Sequence, residues 1–398
     1  MDKLIEDSKY IQSLLENDNL IENDDIIKYF PNVNFDLLID YYNGDDNENL
    51  VKLANDMNLL DCGKLEEVLI KIRRSGIVFD DLNPDLITEI NELNKFVKIA
   101  CGLSHTLALR KDSSLSIWGG DEEGQRNNFP TSNDFVEIAC GCVHSVALRK
   151  DGSVVAWGCN SEGQINYPTG NDYIAISCGD FHSIALRKNG SIASWGNNIP
   201  KIWETYVECT KITSGYTCSC ILHSKGTNIS IWGYGIVKHS LTNNKYVTIA
   251  CGEYHFVALL EDGTLKMFGD SKHGQRQGLP NSGYYINVVC GQYHSVALQK
   301  DGTIATWGGN SYNQISDFIQ YENEGFTAIA CGDHHSVALR EDGSIITWGG
   351  GVDQKRDSPK KKGYIAISCG KFHSVAIHQD GSVTTWGCNT LNQRKDAP

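Results

Sequence analysis

From residue 96 onward, apolar and polar positions follow one recurring pattern. Residues 138–158 show it in full. Ile-Ala-Cys is a short apolar run, Gly-Cys-Val interrupts it, and His-Ser-Val-Ala-Leu-Arg alternates. Asp151-Gly152 then breaks the chain before Ser-Val-Val-Ala-Trp-Gly, rich in β-branched and aromatic residues. Period-two alternation with this composition predicts strands. The pattern restarts at Ile99, Ile176, Ile249, Val289, Ile329 and Ile367, with a degenerate copy at Ile212. Between the second and third runs stand Asp151-Gly152, Asn189-Gly190, Asp262-Gly263, Asp301-Gly302, Asp342-Gly343 and Asp380-Gly381. Such pairs tolerate the positive φ angles of a tight hairpin. The first copy has Asp112-Ser113 and the fourth Lys225-Gly226, which predicts looser hairpins there.

Seven copies carry a cysteine at one position, Cys101, Cys140, Cys178, Cys251, Cys290, Cys331 and Cys369, and the fourth copy has Ser214. Successive copies are 36 to 41 residues apart. A fixed period of this size means stacked or radially arranged units. With a fourth strand after Trp-Gly, each unit has the size of a propeller blade. The expectation is a mainly β fold: a β-propeller of eight four-stranded blades over residues 96–398. Nothing resembles the polar cap that would end a solenoid.

Residues 1–95 read differently. Leu4, Ile5, Ile11, Leu14 and Leu15 suit one helical face, and Asn43-Gly44 suits a helix stop. Leu50, Leu53, Ala54 and Met57 suit another apolar face. Basic Arg73-Arg74 would close a further helix, and Pro84 would open the last. A small α-helical domain is expected.

This segment holds 22 of the 49 acidic and 9 of the 35 basic residues, so it carries nearly all of the net charge of −14. The repeats are close to neutral. Neither part offers the basic field that nucleic-acid phosphates or anionic membranes attract. The amino terminus lacks the layout of a signal peptide, and no apolar run approaches the ~18 residues of a membrane span. A cytoplasmic protein is expected, with Lys360-Lys361-Lys362 as the only run that could serve nuclear import. The cysteines, a whole repeat apart, should be small, buried and reduced.

Seven histidines also recur: His105, His144, His182, His255, His294, His335 and His373. Identical placement in every unit argues for scaffold, with each ring bonding local backbone beside its Cys-Gly turn. Equivalent atoms of fanned units cannot converge on one ion, so no metal site is expected. Trp118, Trp157, Trp195, Trp232, Trp307, Trp348 and Trp386, with Phe268, should pack between units. There is no partnered nucleophile, phosphate loop or His-Glu-x-x-His, so neither enzymatic chemistry nor a cofactor is expected.

The motif Cys-Gly-x-x-His-Ser-Val-Ala-Leu-x-x-Asp-Gly-x-Val-x-x-Trp-Gly-x-Asn-x-x-x-Gln resembles the regulator of chromosome condensation repeat family. The short period is most similar to the propeller-type β-lactamase inhibitors. The resemblance implies a propeller that usually closes with seven blades, against the eight units counted. The fourth unit departs further, with Ser214 for Cys and Cys218 for His. More weakly, Tyr29-Phe30-Pro31, Phe35, Leu37-Leu38, Tyr41-Tyr42, residues 49–54 and Leu59-Leu60 resemble the helical half of a BTB/POZ domain. That implies self-association through residues 1–95, or a ubiquitin-ligase adaptor docking to a cullin. The founding member of the repeat family implies a further alternative, nucleotide exchange on a small GTPase.

Antiparallel strands place every Gly-x-x-His turn and every loop after Trp-Gly on one face. The two variable residues of each turn therefore form a ring at one mouth, which includes Leu103-Ser104, Cys142-Val143 and Tyr216-Thr217. The candidate partner-binding set within it is Asp180-Phe181, Glu253-Tyr254, Gln292-Tyr293, Asp333-His334 and Lys371-Phe372. Aromatic groups beside polar ones are what protein-binding hot spots favour. The expected function is a non-enzymatic protein-interaction module.

Overall fold

Each copy of the pattern folds as an antiparallel meander in which the Ile-Ala-Cys run, the His-Ser-Val run and the Trp run pair in sequence order. The computed structural model describes residues 88, 91–197, 209–223, 226, 228–233, 239–241, 244–321, 325–355 and 357–398. Of the expected amino-terminal helical domain, only Thr88 and residues 91–95 are described, of which Thr88 and residues 91–93 are helical. The remaining helices, the BTB-like segment and self-association through residues 1–95 fall outside the described residues.

There are eight units, at residues 96–119, 135–158, 173–196, 209–241, 246–269, 285–308, 326–349 and 364–387. They close into a ring. The amide of Lys371 in the eighth unit donates to the Gly102 carbonyl of the first at 3.2 Å, and the amide of Gly119 donates to Lys395 O at 2.9 Å. Eight units, rather than the seven usual in the family, complete the circle.

The expectation of four strands per blade needs correction. Among the described residues seven units have three, and the fourth adds another, His239–Leu241. The reason lies in the residues after Trp-Gly. Segments such as Asn160-Ser161-Glu162-Gly163-Gln164 are polar and do not alternate. They coil into a turn around one fully buried glutamine, whose Oε1 accepts from the backbone two residues earlier (Glu162 N, 2.7 Å). Gln125, Gln275, Gln314 and Gln393 repeat this bond at 2.9–3.0 Å. A strand would pull that amide out of its pocket.

The core lies in the seams between units. At most seams the tryptophan of one unit packs against the strands of the preceding unit, as Trp157 does against Leu107 and Leu109 and Trp386 against Val337 and Leu339. The first strand adds a buried aromatic from its first residue, such as Phe135, Tyr173 or Tyr364. Its second residue is bulged out of register in every unit. Val97, Ile174, Ile286 and Ile365, 48–60% exposed, thus ring the end of the propeller that bears the Asp-Gly turns.

The hairpins follow the turn chemistry. Gly152 takes φ of +85° while the Asp151 carboxylate accepts from Ser153 N at 2.8 Å. The first unit is not looser, contrary to expectation. Ser113 adopts φ of +66°, and Asp112 accepts from Ser114 N at 2.9 Å in the same geometry. In the fourth unit the closing bond, His223 N to Asn228 O, spans one residue more than Arg149 N to Ser153 O does. A left-handed serine carries a steric cost that glycine avoids, partly offset by the entropy of the unfolded glycine. S113G should therefore raise stability by about 0.5–1 kcal/mol, measured as a higher denaturant midpoint at unchanged slope.

Candidate functional site

The site is built on a backbone belt. The amide of the first variable residue in each Gly-x-x-His turn donates to the next unit. Leu103 bonds Cys142 O, Cys142 bonds Asp180 O and Asp180 bonds Tyr216 O, each at 3.0 Å; Tyr216 bonds Gly252 O at 3.4 Å. Glu253 bonds Gln292 O, Gln292 bonds Asp333 O, Asp333 bonds Lys371 O and Lys371 returns to Gly102 O, at 3.1–3.2 Å. Eight inter-unit bonds thus encircle one mouth of the central cavity, which has a volume of about 210 Å³.

The glycine of each turn permits this approach. A Cβ on Gly141 would lie 2.0 Å from the His144 ring and 2.6 Å from the Gly179 carbonyl. The histidines are scaffold, as expected, but their partner differs from the expected local backbone. Each Nε2 meets a hydroxyl of the next unit: His105 with Ser145, His144 with Ser183, His182 with Ser219, His255 with Ser295, His294 with Ser336, His335 with Ser374 and His373 with Thr106, at 2.7–3.0 Å. Burial holds all seven imidazoles far below their ordinary value, at about 3 to 4. They are neutral at physiological pH.

The repeated cysteines border the cavity beneath the belt. Six of the seven are half-buried there, and each also packs against the hydrophobic cluster of a seam. Burial pushes their thiols up, Cys101 to about 11 and Cys178 and Cys290 to about 12. Among the described residues no group of three His, Cys, Asp or Glu side chains is arranged to hold a metal ion.

The ten predicted site residues separate into two concentric sets. The first residues of the pairs form a polar inner ring. Lys371 Nζ meets Asp180 Oδ2 at 2.6 Å and lies 4.9 Å from the Tyr216 ring centre. The Tyr216 hydroxyl donates to Asp333 Oδ1, and Gln292 Nε2 donates to Glu253 Oε2 at 2.6 Å. Burial pushes the Asp333 carboxyl up to about 6, with Lys371 opposing and Asp180 and Glu253 reinforcing. Burial raises Asp180 too, against the pull of Lys371. For Lys371, burial acts downward, but Asp180, Cys142 and Asp333 outweigh it and leave it above its ordinary value. Asp180 and Asp333 therefore share one ammonium group in a partly desolvated mouth, with the Glu253 carboxylate beside Asp333.

The second residues form an outer aromatic rim. Phe181 is 40% exposed; Tyr254, Tyr293, His334 and Phe372 are half-buried. The loops after Trp-Gly join the same face. Cys159 N donates to Val143 O, Asp270 N to Tyr254 O, Gly309 N to Tyr293 O and Cys388 N to Phe372 O, at 2.8–3.0 Å. These loops bring two residues that the pair rule did not single out. His273 lies against Tyr293 with ring centres 4.5 Å apart, and Tyr312 stacks on His334 at 4.1 Å. Tyr216, the centre of the inner network, sits at the predicted turn position of the degenerate unit. The Gly-x-x-His register placed it on the ring of turns, but outside the ten candidate residues. Ser104 and Val143, the matching second residues of units 1 and 2, are buried and leave the rim open on that side.

A family model described as "Regulator of chromosome condensation (RCC1) repeat" matches residues 96–125, 135–164, 173–198, 246–275, 285–314, 326–353 and 364–393, together more than half of the chain. The fourth unit is not among the matched ranges. A search of curated proteins finds no match. Among solved structures, the ectodomain of the Physcomitrella patens receptor kinase CR4 aligns with a TM-score of 0.53 and 22% identity, over 65% of this chain and 74% of that one. The CRINKLY WD40 ectodomain of the Arabidopsis thaliana receptor kinase ACR4 gives 0.53 and 19%, over 64% and 95%. Prp20p from Saccharomyces cerevisiae, studied for its binding to Gsp1p and histones, gives 0.49 and 19%, over 79% and 86%. At these identities the likeness is one of fold.

Proposed function

The chain belongs to the RCC1 repeat family, and we propose that this member is a non-enzymatic protein-interaction module that holds its partner on the Gly-x-x-His face. The observation that carries this reading is the concentric arrangement of a charged centre and an aromatic rim on one rigid belt. A belt of inter-unit backbone bonds fixes the turns before any partner arrives, which lowers the ordering cost of binding. Exposed and half-buried aromatic side chains around a polar centre supply the area and anchoring on which hot spots depend. With Asp180, Glu253 and Asp333 set against Lys371 alone, the centre favours a partner that presents a basic group over it.

Affinity capture from the native host tests the reading. The variant Y254A/Y293A/F372A removes half-buried rim rings and leaves the belt and seams intact. It should bind the captured partner at least about 100-fold more weakly, since each hot-spot truncation costs ~2 kcal/mol or more. A control altering the opposite end, I174S/I286S/I365S, should bind like the native chain. Undiminished capture by the rim variant overturns the proposal.

A further inference from the structure

Seven of the eight seams carry a histidine–hydroxyl pin. The seam between units 4 and 5 carries none. Cys218 stands where the other units have histidine, and Phe256 stands where the accepting hydroxyl would be. Phe256 is fully buried and stacks on Phe268 with ring centres 5.1 Å apart. Donor and acceptor were lost together, so neither is left buried without a partner.

The same seam gathers thiols. Cys220 occupies the middle-strand position that is Leu107, Val146, Ile184, Val257, Val296, Val337 or Val375 elsewhere. Its Sγ lies 3.1 Å from Sγ of Cys251, across the seam in unit 5. Cys220 is wholly buried and Cys251 nearly so, but Cys251 also borders the central cavity. A water-sized oxidant therefore has a route to it.

We propose that Cys220 and Cys251 form a reversible disulfide, which cross-links units 4 and 5 at the seam that lacks the histidine pin. Hydrogen peroxide serves as the oxidant by chemical class. The Cys251 thiolate attacks one peroxide oxygen, the O–O bond breaks and water leaves, which gives a sulfenic acid. The Cys220 sulfur then displaces that hydroxyl as a second water. Two S–H bonds and one O–O bond are consumed, one S–S bond forms, and two electrons pass from sulfur to oxygen. Burial holds the Cys220 thiol above its ordinary value. A hydrogen bond from Cys218 draws Cys251 down, yet its bond with Cys220 and burial leave it well above. Thiolate is scarce at neutral pH, so closure is slow and quickens as pH rises.

The test uses the full chain, treated with hydrogen peroxide, alkylated and mapped by peptide mass. The expected result is loss of two alkylatable thiols, at Cys220 and Cys251, in one cross-linked peptide pair that dithiothreitol releases. The oxidised form should unfold at higher denaturant than the reduced form. C220V installs the residue found at this position in five other units, so it should fold normally and show neither cross-link nor shift. The proposal is overturned by any of three results. Cys220 and Cys251 could stay alkylatable while Cys159 and Cys388 are consumed, Cys251 could pair with Cys218, or C220V could keep the oxidative shift.

Discussion

Acidification should unfold the propeller between pH 6.5 and pH 5, well above the range in which carboxylates titrate. Seven buried imidazoles have folded values of about 3 to 4, against ~6.5 in the unfolded chain. A depressed folded value means that the unfolded state binds protons first. The stability these groups contribute is complete above pH 6.5 and is lost as pH falls toward their folded values. Protonation of seven unfolded histidines draws off about 6 kcal/mol at pH 6 and about 10 kcal/mol at pH 5.5, comparable to the whole stability of a typical domain. Asp333 acts in the opposite sense. Its folded value of about 6 lies above the unfolded one, so it adds stability as pH falls, but only about 1 kcal/mol at pH 5.5. Asp180, also raised by burial, acts in the same direction as Asp333, and seven groups outweigh two. Circular dichroism melts from pH 7.5 to 5 should show a steep fall in Tm. A Tm unchanged at pH 5 would show that the imidazoles can charge in place.

The second large effect is expected at a seam. Trp348 is 1% exposed, packs on Phe318 at 4.7 Å and donates from Nε1 to Gln314 O at 2.9 Å. W348A should cost about 3–5 kcal/mol, the loss typical of emptying a large buried aromatic site. The carbonyl of the glutamine turn is orphaned as well. I365A, at a bulged position 60% exposed, should change stability by less than about 0.5 kcal/mol. Urea titration of both variants checks the contrast. Equal losses would mean that the seams are not where the fold is held.

Much of this architecture was legible from local pattern. The spacing of Cys, His and Trp predicted eight units, and Asp-Gly and Asn-Gly predicted their hairpins, because strand period and turn chemistry are properties of a few adjacent residues. The missing fourth strand was legible only in part. Gln164 and its equivalents look like polar surface until their burial is seen. The histidine partners belong to neighbouring units, so local reading assigned them to backbone. The sequence did hold a clue: His-Ser recurs, and the serine position turns to Phe256 one unit after histidine turns to Cys218. Strand direction did foretell that the Gly-x-x-His turns and the loops after Trp-Gly share one end of the propeller. The division of that end into an inner ring led by Asp180, Asp333 and Lys371 and an outer rim led by Phe181 and Tyr254 was not legible, because side-chain direction in a turn depends on the inter-unit belt. Ser113 was misjudged because serine rarely adopts φ above zero, and here the Asp112 carboxylate holds the turn.

Hydroxyl-radical footprinting of the chain with and without its captured partner tests the central claim most directly. The account predicts that labelling of Phe181, Tyr254, Tyr293, Tyr312 and Phe372 falls on binding, while Ile174, Ile286 and Ile365 at the opposite end keep theirs. Unchanged labelling of the rim, with protection at those isoleucines, would contradict it.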